Sequence, residues 1–193
     1  MTRTNAAIAT LAGLALMLLP ACSGSKPSTP VPASTLAYTN PSASGFSLQF
    51  DTAATTPGHL VLDLVGPAGT VAQGVSFFLT TDTTKATWSK AAGAYAVNGS
   101  TFTLGIAPMA LAAKVDSTGA DLQVGIYQKS GAATFTASAP LVSVALDLVP
   151  GTVTAGSTVT LTATPMKQPV FVDGNGNVQA IIMPIRVGIL TAN

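Results

Sequence analysis

Val142-Ser143-Val144-Ala145-Leu146-Asp147-Leu148 puts valine or leucine at every second position and serine, alanine and aspartate between them. A period of two sends the first set to one side of an extended chain and the second set to the other, so the segment predicts a strand with one buried face. The alternation recurs along the chain. Leu60, Leu62 and Leu64 interleave with Val61, Asp63 and Val65; Phe102, Leu104 and Ile106 with Thr101, Thr103 and Gly105; Leu122, Val124 and Ile126 with Asp121, Gln123 and Gly125; and Val159, Leu161 and Ala163 with threonines.

Turn signals separate these runs: Pro57-Gly58, Gly66-Pro67, Asn98-Gly99, Ser117-Thr118-Gly119, Pro150-Gly151 and Asp173-Gly174-Asn175-Gly176-Asn177. The chain has no glutamate and few lysines, and it is rich in Thr, Val, Ala and Gly, a composition that disfavours helices. Only Pro108 to Lys114 predicts a short helix. Many short half-buried strands at this spacing predict an all-β fold, a two-sheet antiparallel β-sandwich in preference to a barrel.

The N-terminus reads differently. Ala6 to Leu19 is apolar except for Thr10 and Gly13, and it follows a short segment carrying Arg3. This is the pattern of a signal peptide, and the run falls short of the ~20 residues needed to span a bilayer. Cys22, the only cysteine, closes Leu19-Pro20-Ala21-Cys22 directly behind it. The tetrapeptide resembles the lipobox of bacterial lipoproteins. That resemblance implies that residues 1–21 are removed and that Cys22 carries the acyl chains that hold the protein to a membrane. Cleavage by ordinary signal peptidase is the alternative, and Leu19-Pro20-Ala21 fits its small-residue requirement poorly. Each buried methylene of an acyl chain contributes about 0.8 kcal/mol, so several chains anchor firmly.

Residues 22–35, with Pro27, Pro30 and Pro32 among serines and threonines, predict an extended tether. Ser23 after the cysteine resembles the enterobacterial signal for export to the outer membrane. The expected location is thus the bacterial cell envelope, with the outer membrane favoured over the inner.

Residues 36–193 suffice for one domain. Without Arg3, seven basic residues balance seven aspartates, so no basic stripe exists for nucleic acid. A lone cysteine excludes an internal disulfide and a cysteine-based zinc site.

Five segments in order resemble the cohesin domain, a nine-stranded jelly-roll sandwich that binds dockerin modules. They are Gly74-Val75-Ser76-Phe77-Phe78-Leu79-Thr80-Thr81-Asp82, Ala120 to Tyr127, Leu141 to Val149, the turn Asp173 to Asn177, and Ile185 to Leu190. The resemblance implies a partner-binding face on the third, fifth and sixth strands and an edge strand. By alternation the outward side chains there are Gly74, Ser76, Phe78 and Thr80, with Gln123, Gly125 and Tyr127 beside them. Cellulosomal cohesins carry Asn and Asp where this chain has Gly74 and Ser76. The apolar pair Phe78 and Tyr127 remains, so the expected partner is a dockerin-like or other envelope protein. Alternation alone also allows Phe78 to pack inward.

Other chemistries have weaker support. His59 is the only histidine, sits beside Pro57-Gly58 and lacks a nucleophile motif, so no enzyme is expected, and no cofactor. Asp173, Asn175 and Asn177 imitate a calcium loop, but Val178 and Pro184 stand where an EF-hand needs glycine and glutamate, which favours a hairpin turn and no metal. Trp88, Tyr95 and Tyr127 are candidate platforms for a polysaccharide, the mark of a carbohydrate-binding module, although Trp88 is expected to fold over the core. A structural subunit of a larger envelope assembly is the third alternative.

Overall fold

The computed structural model describes residues 29–42, 44–90, 93–104, 111–129, 131–164 and 167–193. The expected signal peptide and Cys22 lie outside the described residues. So do Gly105 and Ile106 of one expected strand, and Pro108 to Ala110 of the expected helix.

Among the described residues every regular element is a strand. The first five are β1 (Leu36–Thr39), β2 (Ser47–Phe50), β3 (His59–Val65), β4 (Val71–Thr81) and β5 (Ala86–Ser89). β6 (Ala96–Asn98), β7 (Leu111–Val115), β8 (Asp121–Tyr127), β9 (Ala133–Thr134) and β10 (Val142–Leu148) follow. The last are β11 (Ser157–Val159), β12 (Leu161–Ala163), β13 (Val170–Asp173), β14 (Val178–Ala180) and β15 (Ile189–Ala192).

One layer runs β2-β3-β10-β5, with β6 also on β10. The facing layer runs β14-β13-β4-β8-β7, with β9 and β12 also on β4. A smaller sheet, β1-β15-β11, joins the first layer where Leu48 donates its N–H to Arg186 O at 2.9 Å and Arg186 donates to Phe46 O at 2.9 Å. The strand ladders are antiparallel, and the fold is the expected all-β sandwich.

The alternating leucines do what their period demands. Leu60, Leu62 and Leu64 of β3 and Val142, Val144 and Leu146 of β10 turn inward, opposite Val75, Phe77 and Leu79 of β4 and Leu122, Val124 and Ile126 of β8. Phe46, Phe102 and Phe135 close one end of this core. The ring of Phe135 meets Phe46 edge-on at 6.0 Å and Phe102 at 5.8 Å, the geometry that aromatic quadrupoles favour. A Cβ on Gly66 would collide with the Phe135 ring, which accounts for glycine at that turn.

The structure departs from the sequence expectations in three places. Leu111 to Lys114 belongs to β7, not to a helix, because its residues complete the β8 ladder. Phe102 to Leu104 forms no strand; Phe102 is buried by the aromatic cluster and its carbonyl accepts from Asn98 Nδ2 at 2.9 Å. The Val159-to-Ala163 run is split. β11 pairs with β15 and β12 with β4, so the chain changes sheets at Thr160, whose carbonyl accepts from Asp82 N and Thr81 Oγ1. Such breaks turn about nine expected strands into more and shorter ones.

The tether segment joins the fold before Leu36. Ala33 donates to Val153 O at 2.7 Å, and Ser34 and Thr35 donate to Asn193 O at 2.7 and 2.8 Å. This seats the N-terminal segment beside the last residue of β15's run.

Two substitutions test the inward and outward rows of β4. Phe77 is fully buried, so Phe77→Ala should cost about 3–5 kcal/mol in urea unfolding, and Phe78→Ala distinctly less. Comparable losses would mean that β4 is not oriented this way.

Burial also sets a pH dependence at Asp63, which is half-buried on β3 and accepts a hydrogen bond from Ser143 Oγ at 2.5 Å. Desolvation raises its carboxyl above the usual range, opposed by the Ser143 bond and reinforced by Asp51. A folded-state pKa above the unfolded value penalises the fold once the carboxylate ionises. Asp63→Asn should therefore raise the melting temperature at pH 7. The gain should shrink as pH falls through the folded pKa and be gone below the unfolded value near about 3.9; an unchanged gain at low pH would sink this assignment.

Candidate protein-binding face

The outward surface of the β14-β13-β4-β8-β7 sheet is defined by register. Val178, Val172, Gly74 and Tyr127 form one row; Ala180, Val170, Ser76, Gly125 and Ala112 form the next; Phe78, Gln123 and Lys114 a third; and Thr162, Thr80 and Asp121 a fourth. From Val75 to Thr81 β4 alternates buried and half-buried, so Ser76, Phe78 and Thr80 share the outer side while Val75, Phe77 and Leu79 share the inner one. Phe78 thus does not pack inward. On β8, Gln123 and Tyr127 are exposed on the same outer side, Tyr127 at 41%.

From β4 to β7 the second row is nearly bare of side-chain volume. Ser76, Gly125 and Ala112 leave a shallow trough there, bordered by Tyr127 and Val172 on one side and Phe78 on the other. The Tyr127 hydroxyl donates to Gln73 Oε1 at 3.1 Å, which holds the ring at the border.

The fourth row is polar and internally bonded. Thr80 Oγ1 donates to Asp121 Oδ1 at 2.6 Å and lies 2.7 Å from Thr164 Oγ1. Lys167 Nζ sits 3.7 Å from Asp121 Oδ2 and 5.0 Å from the centroid of the Phe78 ring. One ammonium therefore serves both an ion pair and the face of an aromatic ring. Beside this corner Lys114, Asp116, Ser117, Asp121, Gln123 and Lys167 line an open depression of about 340 Å³.

The structure brings together Ser76, Phe78, Thr80, Gln123 and Tyr127, the residues expected from sequence. It adds Lys167, Asp121, Thr164, Val170 and Val172. Lys167 and Val170 follow the β12 region by only a few residues, yet they reach β4 across a long sequence separation, and no local pattern announces that approach.

Other candidate residues lie elsewhere. Trp88 is buried as expected, and its Nε1 donates to Ala120 O at 2.8 Å, which removes it as a stacking platform. Tyr95 packs against the core with Lys90 Nζ 5.3 Å from its ring centroid. Of the three aromatic candidates, Tyr127 alone is exposed on a sheet face.

His59 begins β3 opposite Asp147 of β10, and its Nδ1 lies 2.5 Å from Asp147 Oδ1. The other oxygen of Asp147 accepts from Ser89 Oγ at 2.7 Å. The carboxylate stands between hydroxyl and imidazole, so the histidine is not placed to take the serine's proton, as nucleophilic catalysis would require.

Asp173 to Asn177 is the hairpin turn between β13 and β14. The Asp173 carboxylate accepts N–H bonds from Asn175 and Asn177 at 2.9 Å each, and from Gln179 Nε2 at 3.1 Å. These donors, the Asn177 amide foremost, hold its pKa below the usual carboxylate range. Gly176, at φ 85°, supplies the left-handed residue that the turn needs.

No protein-family model matches the chain, and comparison with curated proteins gives no match. Solved structures do match in fold. The sixth cohesin of scaffoldin B from Acetivibrio cellulolyticus, solved in complex with a Cel5 dockerin mutant, aligns at TM-score 0.53 and 18% identity, over 76% of this chain and 97% of that one. The second type II cohesin module of the adaptor ScaA scaffoldin from the same organism aligns at TM-score 0.54 and 11% identity, over 77% and 96%. This chain therefore has the cohesin-like fold, a jelly-roll β-sandwich.

Proposed function

We propose that this protein is a lipid-anchored binding module of the bacterial cell envelope, and that the outer face of β13-β4-β8-β7 receives a dockerin-like or other envelope protein. The observation that carries this reading is the bordered trough. Phe78 and Tyr127 flank a floor of Ser76 and Gly125, so a convex element such as a helix can approach the backbone while the two rings supply buried area. The cohesin-like fold supports a role in protein recognition. The missing polar anchors at Gly74 and Ser76 shift the expected contacts toward the rings and toward the Lys167-Asp121 pair at the corner.

Anchoring rests on the lipobox-like Leu19-Pro20-Ala21-Cys22. The proline-rich segment that follows would hold the domain clear of the bilayer, outer membrane in preference to inner.

The face is tested by affinity capture from envelope and secreted fractions with the wild-type chain and with Phe78→Ala. Loss of a central ring at a protein interface costs about 2 kcal/mol or more, so the variant should retain bound partner about thirtyfold less well. Equal capture by both would overturn the proposal, and polysaccharide retention abolished by Tyr127→Ala would transfer the face to a carbohydrate ligand.

The anchor is tested by labelling cells with radioactive palmitate. Wild-type protein should incorporate label and partition into the detergent phase, whereas Cys22→Ala should do neither; label persisting in the variant would refute lipidation at this cysteine.

A further inference from the structure

β14 is the open edge of the sheet that carries the candidate face. In its ladder with β13, Asp173 donates to Asn177 O at 2.9 Å and Ile181 donates to Pro169 O at 2.8 Å. An antiparallel pair alternates bonded and non-bonded positions, so Val178 and Ala180 aim their N–H and C=O groups away from β13, and Ile182 follows two residues past the last paired residue, Ala180. Among the described residues no strand lies on that side. Their side chains are open as well: Val178 is 68% exposed, Ile182 90% and Met183 61%.

Other strands at the margins of these sheets carry features that blunt pairing with another chain. β7, at the opposite end of the same sheet, has Lys114 within it. On β11 the Lys85 ammonium caps the Thr158 carbonyl at 2.8 Å, and on β2 the Arg186 segment covers the strand by a parallel bridge. Charge and cover are the usual protections of a sheet edge. The stretch Val178-Gln179-Ala180-Ile181-Ile182-Met183 contains no charge, and the first proline follows it at Pro184.

We propose that this edge pairs with a second copy of the same chain, antiparallel about a two-fold axis at Ala180. The register is self-complementary. Ala180 meets Ala180 of the second copy, and Val178 meets its Ile182 in both directions, so the outward backbone groups at 178, 180 and 182 close into about six hydrogen bonds. The smallest side chain sits on the axis, with a Val–Ile pair packed on each side of it. The ladder stops at Pro184, which has no N–H to give. Because the pairing uses the edge, it leaves the trough open and sets two copies of the face side by side. So short a ladder falls below the ~1,200 Å² of a stable interface, so association is weak in dilute solution.

Covalent trapping suits a weak, register-specific contact. In the full chain carrying Cys22→Ser, Ala180→Cys places a thiol on the axis. Facing residues of a bonded antiparallel pair have Cα atoms about 5.5 Å apart, within disulfide reach. Mild oxidation should convert this protein into a disulfide dimer on a non-reducing gel. Gln179→Cys, one residue away, should dimerise far less, and adding Ile182→Lys to the Ala180→Cys chain should reduce the dimer about tenfold or more. Ile182 is almost wholly exposed, and an unchanged melting temperature would confirm that the fold survives. Absence of an Ala180→Cys dimer would overturn the proposal, as would equal yields at positions 179 and 180 or indifference to Ile182→Lys.

Discussion

The burial of Phe77 governs the arrangement of this molecule. Two phenylalanines are adjacent on β4, and a strand sends neighbours to opposite faces, so one must go in and the other out. Phe77 enters the interior against the leucines of the facing layer. A shift of one residue would instead bury the row of Ser76, Phe78 and Thr80 and expose Val75, Phe77 and Leu79, at the cost of several large apolar side chains. Fixing Phe77 therefore fixes the outer row, and the pairing of β4 with β8 carries the constraint to Gln123 and Tyr127.

The face is asymmetric in its chemistry. At one end a ring, two valines and bare backbone make a surface that water leaves readily; at the other, Thr80, Thr164, Asp121 and Lys167 satisfy one another. A partner seated on the trough gains from apolar contact, while the polar corner limits how it can be oriented. Lys167 links the two ends because its ammonium lies over Phe78 as well as beside Asp121. The opposite layer carries different polar pairs, Asp63 with Ser143 and Asp147 with His59 and Ser89, which tie neighbouring strands across the first sheet.

Strong alternation was legible in advance: β3, β8 and β10 lie where the leucines and valines place them, and the Asp173 turn is the hairpin its glycines imply. The mis-readings have a common physical origin. Leu111 to Lys114 has few strand-forming residues and is extended because β8 offers it a ladder. Phe102 and Leu104 alternate like a strand, but Phe102 is consumed by an aromatic cluster at the end of the sandwich. The threonine-rich run after Ser157 looks continuous, yet it must leave one sheet for another at Thr160.

By itself the sequence determined the class of fold and the alternation of the main strands, because these follow from a period of two; it left open which of Phe77 and Phe78 turns inward, and with it the outer row of Ser76, Phe78 and Thr80. Only the tertiary structure decided which strands lie side by side. That choice brings Lys167 over Phe78, lays Val170 and Val172 along the trough and leaves β14, among the described residues, at the edge of its sheet, through contacts between residues far apart in the chain that no local pattern encodes.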